Sequence, residues 1–244
     1  MNLLANIVNE EEIRDEESWR RLAPPKRGEL HWRVGRSARE LAVYMTGALP
    51  GAPAEIVQCL GDAGVDTDRD FHWRAEYVTD FAGYGLGKGE GRNHDAVLWN
   101  SDVFVGIEAK ADEELGPILS EAVSGASENK LRRVEALRRM IFDNGVCPPG
   151  IRYQLLTALG GVMLEADSRG VGKAVLLILT FLKPGKDDDR GRPYYSERKA
   201  GATKRDIADF LELLRWDERT GRVTTPFGRE RKIETYIRHI TVEL

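Results

Sequence analysis

The run AVLLILTFL, residues 174–182, constrains the fold more than any other part of the chain. It is about half the length needed to cross a bilayer as a helix, and it matches an ordinary strand in length. Apolar residues follow one another without a polar position at every second place, so both faces of such a strand must be covered. A strand of that kind belongs inside a sheet with helices above and below it. The expected fold class is therefore α/β.

The rest of the chain supplies those helices and the neighbouring strands. Helical spacing appears at residues 36–47, where Ala38, Leu41, Ala42 and Met45 share a face and Arg39 and Glu40 point away from it. It returns at 53–60, 126–143 (Leu131, Val134, Leu137, Ile141), 151–166 and 203–216. Residues 71–79, FHWRAEYVT, alternate with period 2, and further strands fit about 95–99 and 102–110. The charged stretch EEEIRDEESWRRL, residues 10–22, reads as an exposed helix stopped by Pro24 and Pro25. Ile233–Val242 fits a strand or a helix, and the structure of residues 217–244 stays open. The order gives a mixed central sheet flanked by helices. It predicts an N-terminal helical extension over 1–33 and a single α/β domain over 34–244, with its core at about 36–182.

Charge limits the partners. The 244 residues carry a formal net charge of -4, so the chain as a whole does not attract a polyanion. A nucleic acid would have to be held by a local basic patch or through metal ions. Two patches are available: the helix bearing Lys130, Arg132, Arg133, Arg138 and Arg139, and Lys88 with Arg92 around the glycines at 83, 85, 87, 89 and 91. The ordinary alternative is a solvated helix face and a mobile hairpin loop. The glycine series joins two strands and lacks a Lys-Ser/Thr ending, which argues against a nucleotide-phosphate loop. Two cysteines, Cys59 and Cys147, make neither a disulfide framework nor a structural zinc site. The start MNLLANIVNEEE lacks a basic n-region, and no segment is long and apolar enough for a membrane span. The expectation is a cytoplasmic protein without a membrane partner. Asp187, Asp188 and Asp189 form an acidic run that fits a solvated turn better than a calcium loop.

Chemistry concentrates in HDAVLWNSDVFVGIEAK, residues 94–110. A two-residue hairpin turn at Asn100 and Ser101 sets Trp99 opposite Asp102, Val97 opposite Phe104 and Asp95 opposite Gly106. Alternation then gathers Asp95, Gly106, Glu108 and Lys110 on one face, with Val103, Val105, Ile107 and Ala109 on the other. Gly106 would leave room for an ion beside Asp95. A four-residue loop keeps this parity, and a slip of one residue destroys it. Two converging carboxylates repel unless a cation lies between them. Magnesium suits two carboxylates, retained waters and substrate phosphates. An adjacent amine such as Lys110 can orient a metal-bound water or steady charge on a phosphate. The ordinary alternative is a solvated strand-end ion pair.

Asp95 followed by a hairpin and Glu108-Ala109-Lys110 resembles the signature of the restriction endonuclease-like, or PD-(D/E)xK, nuclease superfamily. The resemblance implies a restriction endonuclease-like core, with Asp95 and Glu108 as metal ligands, the Ala109 carbonyl as a third and Lys110 as the catalytic lysine. It further implies Mg2+, with Mn2+ as a substitute, and a nucleic-acid substrate, DNA before RNA. Gln154 is similar to a glutamine of exonuclease-like branches, without that motif's tyrosine. His94 stands where many members have proline. Glu40 is the positional counterpart of the family's helix acid, and Glu76 is an alternative extra carboxylate. Lys88, Arg92, Lys130 and Arg133 are the candidate nucleic-acid contacts. A protein partner or homo-oligomer is a further expectation for an acidic chain. The other expectation from the same fold is a catalytically inactive module that binds nucleic acid or protein.

Overall fold

The computed structural model of the chain describes residues 1–26, 28–89, 91–182 and 196–244. Seven strands form the main sheet in the order β1 (Asn2–Leu3), β4 (Asp70–Thr79), β5 (Arg92–Trp99), β6 (Val103–Lys110), β7 (Lys173–Leu182), β9 (Glu234–Glu243) and β8 (Arg222–Val223). β4, β5 and β6 are antiparallel neighbours, whereas β6, β7 and β9 run parallel, so the sheet is mixed. The segment left open between strand and helix is thus a strand, Glu234–Glu243, and it covers the far edge of the buried run.

Period-2 alternation distributes the sheet's side chains between two cores. Leu98, Val105, Ile107, Val175, Leu177 and Leu179 pack towards α1 (Glu16–Leu22), α2 (Ser37–Thr46) and α3 (Ala54–Asp62). Val97, Phe104, Leu176, Ile178 and Ile237 pack towards α5 (Glu128–Ile141), α6 (Tyr153–Arg169) and α7 (Glu197–Leu213). The run at 174–182 is covered on both faces, as its composition requires. Two short helices, α4 (Leu119–Val123) and α8 (Pro226–Arg231), complete the helical layers. None of the described helices is long and apolar enough to cross a membrane.

The N-terminus departs from the expected helical extension. Leu3 of β1 pairs with Phe71, so the first residues are an edge strand of the main sheet. Glu11 and Glu12, expected at the start of an exposed helix, instead form β3 (Glu11–Glu12) of a small hairpin with β2 (Ile7–Val8). Helix α1 is not exposed all round either. Its Trp19 is buried and lies 5.5 Å from Trp73, an anchor that a reading of the charges overlooks. Asp15 caps this helix, accepting from the Ser18 N–H at 2.8 Å.

The hairpin turn falls one residue later than expected. Asn100 N–H donates to the Val103 carbonyl at 3.1 Å. The Asn100 side chain accepts from the Asp102 and Val103 N–H groups at 2.9 and 3.2 Å. That local hydrogen bonding makes Asn100 the residue that closes the turn, with Ser101 and Asp102 at its tip. Trp99 therefore pairs with Phe104 and Val97 with Gly106. The shift is two residues, so Ala96 and Val97 keep their expected faces, but alternation breaks at Asp95. His94 packs against Gly106 and Gly161 on the α6 side, although Ala96 belongs to the other core.

Candidate active site

Asp95 lies one step beyond the last regular β5–β6 pair, Ala96 with Ile107. There its side chain takes over from the backbone, Oδ2 accepting from the Ala109 N–H at 2.7 Å. Burial raises the Asp95 carboxyl, while the Lys110 charge and the Ala109 N–H oppose that rise. Next to it, Lys110 Nζ donates to Glu108 Oε1 at 2.7 Å. Gln154, at the start of α6, donates to the same oxygen, and Arg92 Nη2 forms an ion pair with Glu108 Oε2. Gln154 is itself held by the Gly116 N–H, which donates to its Oε1 at 3.2 Å. Asp95, Glu108 and Lys110 are thus brought together, but Glu108 is only 1% exposed and sits beneath its partners. Desolvation lowers the Lys110 amine, against the pull of Glu113 and Asp95.

Among the carboxylates that share the open space with Asp95, Glu76 is its neighbour on the adjoining strand. It occupies the place across from Asp95 in β4, between the pairs Ala75–Ala96 and Tyr77–His94. Its φ of 47° is a left-handed backbone inside a strand, unusual for a residue with a Cβ. Asn93 Nδ2 donates to Glu76 Oε2 at 2.6 Å and fixes the side chain. Burial, followed by the negative charge of Asp95, pushes the Glu76 carboxyl from 4.5 up to about 8. The expectation that Asp95 and Glu108 repel is therefore corrected: Glu108 is matched by Arg92 and Lys110, and the repelling pair is Asp95 with Glu76.

Two further expectations change. Gly106 is no opening for an ion, because a Cβ there would come within 2.9 Å of the His94 ring. His94 fills the space between Gly106 and Gly161 of α6, and burial holds it neutral. Glu40 does not point away from the core: it is buried and accepts a hydrogen bond from the Gly35 N–H. The helix acid thus serves the turn preceding α2, while Glu76 faces the cleft.

That cleft has a volume of about 1310 Å³, with Glu76, Asp95 and Lys110 among its lining residues. Lys88, Arg92, Lys130 and Arg133 all line it. Lys130 stands 4.9 Å from the Tyr153 ring centre. Arg133 is buried, donates to the Lys88 carbonyl at 3.2 Å and lies over Phe81, so it also pins the glycine-rich loop to α5. Gly87 and Gly89 pack against Asn129 and Arg133, so the loop rests on the first turns of this helix. The remaining arginines of α5 turn elsewhere: Arg132 pairs with Glu128, and Arg138 and Arg139 with Glu135. The opposite wall was missed in the sequence. It comes from Arg33 and Arg36, ahead of α2, with Lys26 and His31. Their signal was a set of basic residues just upstream of a helix. The acidic run 187–189 lies outside the described residues.

Among the described residues, no group of three or more His, Cys, Asp and Glu side chains makes a ready-made metal cage. Four carboxylates line the cleft, Glu76, Asp95, Glu113 and Glu114, and Glu76 and Asp95 repel each other as neighbours across β4 and β5. A hard divalent ion relieves that repulsion and needs no more than one or two protein carboxylates when waters and phosphates complete its shell. The residues fit such an ion.

A family model described as a domain of unknown function, DUF6946, matches residues 12–243. The chain belongs to the DUF6946 family. The DUF6946 match takes in every cleft-lining residue, from Pro24 to Thr157. No curated protein matches this DUF6946 chain, and no solved structure matches it.

Proposed function

We propose that this DUF6946 domain is a metal-dependent nuclease that hydrolyses phosphodiester bonds of DNA or RNA. The observation that carries the reading is a buried amine, Lys110, beside the mutually repelling carboxylates Asp95 and Glu76 in a cleft also lined by basic residues. Resemblance to the PD-(D/E)xK signature supports the same assignment. Asp95, Glu108 and the Ala109 carbonyl would hold Mg2+ or Mn2+, with Glu76 as an additional carboxylate. When bound, the ion supplies Lewis acidity and an activated water.

The chain's own residues account for the rest. Asp95 stays fixed because its second role, accepting from Ala109, ties it to β6. Lys110 is desolvated and so lies closer to releasing its proton than a surface lysine does. It can orient a water or neutralise charge that develops on a phosphate oxygen. Lys88, Lys130, Arg33 and Arg36 hold the backbone on either side of the floor. Because overall charge is negative, binding depends on these few contacts and falls steeply with salt.

A second reading, an inactive binding module on the same fold, has one observation in its favour: the Glu108 charge is already matched by Arg92 and Lys110, and Gln154 donates to it. Crystals soaked in Mn2+ separate the two. The nuclease reading expects an anomalous peak within coordination distance of Asp95, lost in Asp95→Asn. No peak there at saturating Mn2+ would favour the module.

A further inference from the structure

Glu108 differs from the other acids of the site in having no oxygen open to the cleft. Oε1 is taken by Lys110 and Gln154, and Oε2 by Arg92. Lys110 is two residues away on the same strand, and Gln154 is clamped by Gly116, so both partners are fixed locally. Arg92 is held differently. Its stem passes over Gly161, where an added Cβ would lie 3.4 Å from Arg92 Cγ, and the side chain lines the cleft. Neither its Nε nor its Nη2 makes a regular hydrogen bond among the described residues, so Nη2 meets Glu108 Oε2 as an ion pair only. The guanidinium is thus tied to Glu108 at one nitrogen and lacks an acceptor at another.

We propose that Arg92 is a competitor built into the site: its guanidinium and a divalent ion exclude one another at Glu108. This rests on the reading that the cleft takes such an ion. A buried carboxylate without a counter-charge is strongly destabilising. Arg92 shares that role with Lys110 when no ion is bound, and it holds the Glu108 carboxylate in place. An ion that takes Glu108 as a ligand displaces Arg92 towards the cleft it already lines. There its planar fork of donors matches a phosphate. Metal loading and phosphate binding are therefore linked, and each favours the other. Arg92 acts as a positioning residue in the empty site and as a substrate contact in the loaded one.

Calorimetric titration of Mn2+ into the full chain tests this, with wild type, Arg92→Gln, Arg92→Lys and Glu108→Gln compared. Loss of the competing charge-assisted contact in Arg92→Gln should tighten Mn2+ binding by about tenfold or more. Arg92→Lys should fall between Arg92→Gln and wild type, and Glu108→Gln should weaken uptake. If Arg92→Gln fails to fold by near-ultraviolet circular dichroism, Arg92→Lys carries the comparison. Uptake by Arg92→Gln alone also supports the proposal. Unchanged or weaker binding in both Arg92 variants, with wild type binding normally, overturns the competition and leaves the nuclease reading standing. So does wild-type affinity in Glu108→Gln. Absence of uptake in wild type and in the Arg92 variants overturns both.

Discussion

Replacing Glu76 by glutamine should stabilise the metal-free protein, and the gain should depend on pH in a defined direction. Glu76 is a carboxyl whose folded value is pushed from 4.5 up to about 8, first by burial and then by Asp95. Below pH 4.5 the group is protonated in both folded and unfolded chains and costs nothing. As pH rises, the unfolded chain ionises first, so the folded state is progressively disfavoured until it also ionises near pH 8. At about 1.4 kcal/mol per pH unit the gap caps the effect at about 5 kcal/mol. Partial solvent access at the cleft reduces it to about 2–3 kcal/mol. Glutamine keeps the shape and the Asn93 contact but does not ionise, so the stability difference between Glu76→Gln and wild type should be near zero at pH 4 and should grow to its full size by pH 8. Urea unfolding at pH 4, 6 and 8 measures it, provided the slopes match. Parallel pH profiles for the two proteins would refute the reasoning. A loss of stability in Glu76→Gln at pH 8 would refute it more strongly, since it would mean that the carboxylate is favourably paired.

Two other outcomes follow from the packing and the cleft. Gly161→Ala should destabilise by about 1–3 kcal/mol from overpacking, less about 1 kcal/mol for better helix propensity. The reason is a Cβ that would lie 2.8 Å from His94 Nε2, and in a His94→Ala background the same change should be neutral or stabilising by urea unfolding. Lys88→Ala and Lys130→Ala should each weaken oligonucleotide binding similarly across sequences and reduce the salt slope by about 1, while Arg132→Ala, paired with Glu128 off the cleft, should leave the slope unchanged.

Much of the framework was legible because alternation is a local property. The apolar run at 174–182 announced a covered strand, and the helices from 36 to 216 announced themselves by their stripes. The turn error was two residues, an even number, so faces hold up to Ala96; beyond it Asp95 meets β6 through its side chain, which accepts from the Ala109 N–H. What escaped depends on contacts between distant segments. Nothing in residues 1–33 says that Leu3 will pair with Phe71, or that Trp19 will meet Trp73. The charge balance of the site was equally hidden. Arg92 lies 16 residues from Glu108 in sequence, and only the fold brings its guanidinium onto that carboxylate. Glu76 faces the cleft through a left-handed backbone that a strand pattern does not foretell. Gly106 looked like room for an ion because a glycine leaves space, whereas that space is filled by His94 from the same hairpin.

The central claim, that the cleft around Asp95 and Lys110 cleaves phosphodiesters, is tested most directly by single-turnover cleavage of end-labelled DNA and RNA with Mg2+ or Mn2+, with binding measured in parallel. Wild type should cut at least one of these substrates, with no product when the ions are chelated. Lys110→Ala should bind with little change and lose cleavage. Binding without cleavage by wild type on every substrate and metal, or full cleavage by Lys110→Ala, would contradict the claim.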